Sequence, residues 1–279
     1  MALIGTLTSG VSALSSFSSG LDVIGNNIAN VNTVGFKSAS TSFEDSFSNT
    51  IAGGQQIGTG VQVASVTTSF TQGSLNSTGN TTDLGISGNG YFIVKDPNSG
   101  TQSATRDGQF TVDPSGYLTT QAGMRVQGLV GGTSAVPLGT TVGDIRIGQS
   151  LPANTSLQSI SIDTSGNVHE FYSDGTSAVT NQVELQNFSA PANLTKSGDN
   201  LYGSLSAAGP VGGGILAGNN GPSTNGLGTI QAGTLESSNV DLTQQFSDLI
   251  TMQRSFQAGA RLITVSDTVL QDITDLKRS

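Results

Sequence analysis

The chain contains no cysteine, no tryptophan and a single histidine in 279 residues. Without cysteine there is no disulfide scaffold, no thiolate metal site and no thiol nucleophile. A zinc site would need three carboxylates beside the lone His169, an unusual set. A cysteine-free chain is also compatible with export, because it cannot cross-link on the way. Aromatics make up 5% of the residues and charged side chains only 10%, below the globular average for charge. The few basic residues form no cluster. With a net charge of −9 and a pI near 4.3, the chain is a poor ligand for nucleic acid or anionic membranes. No window approaches 18 apolar residues, so no membrane-spanning helix is expected. The opening MALIGTLTSGVSALSS lacks a basic and a continuous apolar region, so it does not read as a secretory signal.

What is abundant is glycine, at 38 residues, with serine, threonine and asparagine. This composition suits short strands and tight turns, not a doubly wound enzyme. Strand-like runs are Val61–Val66, Gly90–Val94, Gln109–Val112, Arg125–Val130, Asp144–Ile147, Ser159–Ile162, Val168–Tyr172 and Val183–Phe188. Between them stand turn signals at Asp107-Gly108, Asp113–Gly116, Asp163–Gly166 and Asp174-Gly175. Asp supplies the side-chain acceptor and Gly the positive φ of hairpin turns. Many short strands so punctuated predict a sandwich or barrel. Residues 37–60 and 203–229 read as connectors.

The two ends differ from this middle. Near the N-terminus, Ile4, Leu7, Val11, Leu14, Leu21 and Ile28 recur at steps of three and four, with Leu3, Phe17 and Ile24 widening the stripe. The period is close to 3.5, that of a packed helical seam. Ser18 and Gly25 interrupt it, and so many Ser, Thr and Gly leave the helix marginal alone. Near the C-terminus, Leu242, Leu249, Phe256, Ile263 and Leu270 recur every seven residues, joined by Phe246, Met252, Ala260 and Ile273. Asp241 is placed as N-cap with Gln244 completing a capping box, and Lys277 and Arg278 suit the C-terminal dipole. The predicted class is α+β, with terminal helices around a mainly antiparallel β middle.

Catalytic patterns are missing. His169 lies in a strand-like run and reads as structural. Asp-x-x-Gly at 113–116 and 163–166 imitates pieces of calcium loops but lacks the remaining oxygen ligands. The 212–217 run GGGILA imitates a dinucleotide fingerprint without the strand and helix that fingerprint needs. No nucleophile elbow or P-loop occurs. No catalytic residue, metal ligand or cofactor site is assigned.

Four segments in order, LDVIGNNIANVNTVGFKSASTSFED (21–45), DLGISGNGYFIV (83–94), RDGQFTVDPSGYL (106–118) and LESSNVDLTQQFSDLITMQRSFQA (235–258), strongly resemble the bacterial flagellar rod and hook protein family. The resemblance implies a subunit of a tubular homopolymer, carried unfolded through the flagellar export apparatus without signal cleavage. It implies terminal helices pairing as a coiled-coil-like inner core (1–32 and 238–279), a connecting segment (33–70) and a β-rich outer domain (71–237). Neighbours would be other axial proteins: rod, hook cap and hook–filament junction. The self-assembly seam would be Leu7, Val11, Leu14, Leu21, Ile28, Leu242, Phe246, Leu249, Phe256, Ile263 and Leu270.

The same resemblance gives a reading of NNIANVNTVGF at 26–36, where four asparagines crowd into seven positions. Asn26 and Asn27 would satisfy neighbouring groups, Asn30, Asn32 and Gly35 would let the helix stop and turn, and Phe36 would anchor the connector. The blander reading is a polar C-cap and loop. Within the family, the quick passage from Phe43 to the turn at 57–60 favours a short hook subunit, the torque-transmitting joint outside the cell. Room for only one β domain favours the alternative, a rod subunit of the basal body. A secreted β-rich adhesin would explain the middle but not the two terminal stripes. In free monomer, limited proteolysis is expected to trim both ends and leave a resistant core near 70–235; uniform resistance along the chain would contradict this.

Overall fold

The computed structural model describes residues 2–51, 55–131, 141–149, 155–212, 214–216 and 220–278, with side chains for all but 2–4, 49–51, 55–57 and 277–278. Gly213 and Ala217 of the 212–217 run, and the side chains of Leu3, Ile4, Lys277 and Arg278, lie outside these. The chain forms two compact units, one of Met1–Val31, Lys37–Ser69 and Val240–Ser279, the other of Asn32–Phe36 and Phe70–Asn239. Its class is α+β, two long helices with a mainly antiparallel β-rich stretch between them.

The first unit is built from α1 (Ala2–Ala29), α2 (Leu242–Arg278) and four strands: β1 (Ala39–Asp45), β2 (Ser48–Ile51), β3 (Gln55–Gly58) and β4 (Val61–Thr68). At the start of α2 the Asp241 carboxylate accepts from the Thr243 N–H at 2.8 Å and the Gln244 N–H at 3.3 Å, an N-cap. The expected capping box does not close. Gln244 donates instead to Asp248 one turn on, at 2.8 Å. The expected loop at 37–60 is replaced by structure. β1 pairs antiparallel with β4 and β2 with β3. Ser46 N–H to Gly60 O and Thr59 N–H to Phe47 O, both 2.8 Å, carry the ladder between the two pairs. Residues 39–51 and 55–68 are therefore the two sides of one long antiparallel ribbon. The expected run Val61–Val66 lies in its strand β4; the Ser, Thr, Asn and Gln content of β1, β2 and β3 hid the rest.

The second unit is an antiparallel network. Its main path runs Leu157–Ile162, Asn167–Tyr172, Ser177–Val183, Arg125–Val130, Tyr91–Lys95, Gln102–Thr105, Leu201–Gly203 and Thr195–Gly198, with four short strands branching from it. The expected sandwich or barrel is replaced by this single branched sheet with a core on each face. The central strand explains why: Tyr91 and Ile93 enter one apolar cluster, Phe92 and Val94 the other. Phe92 meets Phe110 edge-on at 5.1 Å, and Tyr91 meets Phe188 at 5.6 Å. Strands Leu84–Ser87 and Thr229–Ala232 pair, as do Leu75–Ser77 and Thr234–Glu236, so the unit's entry and exit lie side by side.

Three of the four expected Asp–Gly turns form; Asp107-Gly108 joins two strands that do not pair with each other, and Gly108 has no positive φ. Gly116, Gly166 and Gly175 have φ of 86°, 79° and 81°. The Asp113 carboxylate accepts the Tyr117 N–H at 2.7 Å, and the Asp163 carboxylate those of Ser165 and Asn167 at 2.9 and 2.8 Å. Arg125–Val130 is a strand as expected. The run at Asp144–Ile147 is not; the strand is Thr141–Asp144, while Ile145 and Ile147 still fill the core. The run at Val183–Phe188 is broken at Glu184, between Ser177–Val183 and Leu185–Gln186.

Buried charge is handled in two ways. Arg106 and Glu236 pair at 3.1 Å with both side chains almost fully buried. The other Glu236 oxygen accepts the Gly73 N–H, Arg106 also donates to Gly88 O, and the guanidinium lies 5.1 Å from the Tyr91 ring centre. Removing one partner of such a pair costs about 3–5 kcal/mol. Glu170 is not in an ion pair among the described residues and is satisfied by Gly148 N–H at 3.0 Å, the Thr180 hydroxyl at 2.7 Å and the Tyr172 hydroxyl at 2.8 Å.

Glu184 differs from both. It is fully buried, and neither carboxylate oxygen has a hydrogen-bond partner among the described residues. Burial pushes its carboxyl above the usual Glu range, and the neighbouring Asn220 N–H opposes this only in part. The folded state therefore holds the proton more tightly than the unfolded chain. The stability this gives is complete below the unfolded pKa and is lost as pH rises through the folded value. Glu184→Gln is expected to raise the melting temperature at pH 8 and to flatten its decline between pH 4 and 8. A variant melting with the wild-type pH profile would contradict the assignment.

Candidate assembly surface

The first unit is where the expected seam residues fall. α1 and α2 lie side by side and antiparallel. Thr6 bonds Ser266 at 3.3 Å near one end of the pair, and Asn27 donates to Gln245 at 2.9 Å near the other. Between these ends, glycines of one helix receive side chains of the other. A methyl group on Gly10 would lie 3.0 Å from Ile263, one on Gly20 3.0 Å from Met252, and one on Gly259 3.5 Å from Leu14. Larger side chains at Gly10 or Gly20 would push the helices apart.

This places the expected seam residues unequally. Leu14 and Ile263 take part in the helix–helix contact inside the chain. Leu7, Leu21, Ile28, Leu249 and Leu270 are half-buried. Val11, Leu242, Phe246 and Phe256 are exposed, Val11 to 57% and Phe246 to 51%. The apolar stripe on α1 thus flanks the face that meets α2. The α1 side of the contact includes Thr6, Gly10, Ala13, Leu14, Gly20 and Asn27; Leu14 belongs to the expected stripe, while the glycines and polar residues carry no hydrophobic signal.

Ile250, Leu262, Val265, Val269 and Leu276 were missed by the sequence reading, although each is 39–76% exposed. At about 100° per residue, Leu242, Phe246, Ile250 and Phe256 occupy one side of α2. Leu262, Val265, Val269, Ile273 and Leu276 occupy roughly the opposite side. A single heptad followed from Leu242 cannot find both. The signal was a second register of threes and fours beginning at Leu262.

The joint residues divide between the two units. Asn26 is exposed, and its carbonyl accepts both the N–H of Asn30 at 3.1 Å and the Asn30 side-chain amide at 2.9 Å, closing the last turn of α1. Asn27 is buried and bonds both backbone groups of Ala39, at 2.7 and 3.0 Å. Asn32 is exposed in the turn that follows. Gly35 has φ of 68°, donates to Glu236 O at 2.8 Å, and a methyl group on it would lie 2.8 Å from the Arg106–Asp107 backbone. Only glycine fits both demands. Phe36 is buried, with the Lys196 ammonium 4.6 Å from its ring centre. Asn200 donates to Val34 O at 2.8 Å, so residues 34–36 are tied into the β unit.

The polar turns are held by hydrogen bonds. Burial alone would raise the Asp163 carboxyl, but bonds from Asn167, His169 and Ser165 hold it below the usual range. His169 approaches Asp163 at 3.4 Å as part of the same turn. Among the described residues no three His, Asp or Glu side chains gather to hold a metal. Among the described residues, too, no helix is long and apolar enough to cross a membrane.

Three comparisons with known families fall in chain order. Residues 7–37 match the family described as flagella basal body rod protein. Residues 85–170 match the flagellar hook protein FlgE/F/G D1 domain, and residues 231–276 the C-terminal part of the flagellar basal body rod FlgEFG protein. The chain is 38% identical to the flagellar basal-body rod protein FlgG of Bacillus subtilis, over 99% of this chain and all of that one. It is 31% identical to FlgG of Borreliella burgdorferi, over 92% of this chain and 93% of the relative. It is 26% identical to the flagellar hook protein FlgE of the same organism, over 98% and 99% of the two chains. The glycines, asparagines and exposed helical stripes described above therefore sit in a structural subunit: the chain belongs to the flagellar rod and hook family of axial proteins.

Proposed function

We propose that this protein is a rod subunit of the flagellar basal body, part of the drive shaft rather than of the hook. The observation that carries this is alignment length. The alignment with the Bacillus rod protein spans 294 positions, close to the 279 of this chain. That with the Borreliella hook protein spans 446, so the hook relative carries much additional sequence. The hook reading favoured from the connector is therefore set behind its alternative. The short connector that suggested it is a paired ribbon.

On this reading the terminal segments 1–32 and 238–279 form the inner core of a tube, pairing in a coiled-coil-like manner. Residues 33–70 connect them to an outer domain, 71–237. The exposed stripes are the surfaces that neighbouring copies cover. Val11, Phe246 and Phe256 on one set of faces, and Leu262, Val265 and Val269 on another, meet different neighbours. Two such non-equivalent contacts are what an open helical polymer needs. The subunit reaches its place through the flagellar export apparatus and sits in the periplasm-spanning rod, beside other axial proteins.

Two experiments follow. Leu249→Asp or Phe256→Asp is expected to raise the concentration needed for assembly by about a hundredfold, the effect of roughly 3 kcal/mol for an unpaired buried charge. The β unit should keep its thermal transition. Normal polymers from either variant would remove these residues from the seam. Electron microscopy of basal bodies from a strain lacking the protein is expected to show a missing or shortened rod. A complete rod ending without a hook would return the assignment to the hook.

A further inference from the structure

The polar face of α1 is bonded to the ribbon at several points. Ser9 donates to Thr59 O at 3.0 Å, and Ser16 to Val61 O at 3.0 Å. The Val61 N–H donates to the Ser12 hydroxyl at 3.3 Å. At the other end of the helix, the Asn27 amide bonds the N–H and C=O of Ala39. Val61 begins β4 and Ala39 begins β1, at opposite ends of the ladder they share. The helix is therefore fastened to the ribbon at both ends of that ladder. Between the fastenings, Phe17 meets Phe43 edge-on at 5.9 Å, and a methyl group on Gly20 would lie 3.2 Å from the Phe43 ring. The β1 register shifts between Ser42 and Phe43, a bulge that locally re-aims the strand.

We propose that Ser9, Ser12, Ser16 and Asn27 form a polar clip that makes α1 and the 39–68 ribbon a single ordering unit, so that the ribbon becomes rigid only where α1 is helical. Neither part is stable by itself. The helix is rich in residues of low propensity, and serine and asparagine on its face compete with its own backbone. An isolated two-stranded ribbon is marginal at best in water. Together, each supplies what the other lacks: the ribbon offers backbone groups at its edges, and the helix offers side chains spaced to reach them. Ser9, Ser12 and Ser16 are three and four residues apart, one face of a helix. Gly60 makes the approach possible. Its φ is 144°, and a methyl group there would lie 2.0 Å from the Ser12 oxygen. The device does not depend on whether the subunit belongs to rod or hook.

Hydrogen exchange with mass spectrometry on the full chain tests this, across protein concentrations at which α1 gains protection. In the wild type, peptides covering 5–29 and 39–68 are expected to gain protection together. In the Ser9→Ala, Ser12→Ala, Ser16→Ala triple variant, and separately in Gly60→Ala, the ribbon is expected to exchange about tenfold faster, the scale of one or two net hydrogen bonds. Peptides covering 84–94 should be unchanged, reporting an intact β unit. Ser12→Thr with Ser16→Thr keeps the hydroxyls and should retain most of the protection. Joint loss of protection in α1 and the ribbon supports the clip, as does loss in the ribbon alone. A ribbon protected to the wild-type level in both the triple variant and Gly60→Ala, or protected before α1, would overturn it.

Discussion

The close approach of α1 and α2 at Gly10, Gly20 and Gly259 sets the terms for the rest of the structure. Glycine at these positions lets each helix accept side chains of the other directly against its backbone. The pair then closes through small residues and two polar bonds, Thr6 to Ser266 and Asn27 to Gln245. Leu14, Met252 and Ile263 pack against those glycines, while other large apolar residues are left on the flanks. A pair that closed through its large apolar residues would satisfy them and have nothing left to offer. This pair leaves Val11, Phe246, Ile250, Leu262 and Val265 half exposed or more. Exposed apolar area of that kind on a subunit marks an interaction surface.

The β unit is built on the opposite logic. Its central strand is buried on both faces, three of its turns are fixed by Asp side chains and positive-φ glycines, and its buried Arg106, Glu236 and Glu170 are paired or hydrogen-bonded, unlike Glu184. Its entry and exit strands lie together. The Gly35–Phe36 step is held by Glu236, Arg106–Asp107 and Lys196. The asparagine-rich stretch before it ends α1 through Asn26 and Asn30 and ties the helix to the ribbon through Asn27.

Much of this was legible in the sequence wherever one residue type has one physical use. Asp-x-x-Gly gave the turns, because side-chain acceptor and positive φ are needed together. Alternation or continuous apolar content gave Arg125–Val130 and Tyr91–Lys95. Heptad spacing gave both helices. The misses share a cause as well. Strands β1, β2 and β3 of the ribbon and the strand Ser177–Val183 are polar; in the latter Thr180 and Asn181 bond Glu170 and Arg146 O. The face on which the helices meet was hidden because glycine carries no hydrophobic signal. The second apolar face of α2 was hidden by following one register along a helix whose true period drifts from seven.

The most direct test of the central claim is a helical reconstruction by cryo-electron microscopy of the axial structure containing this chain. The account predicts Val11, Phe246 and Ile250, and on the other side Leu262, Val265 and Val269, each buried against a different neighbouring copy, with the α1–α2 contact through Gly10, Gly20 and Gly259 retained. A tube in which those side chains face solvent or the lumen, or in which the glycine contact opens to let them pair within one chain, would contradict it.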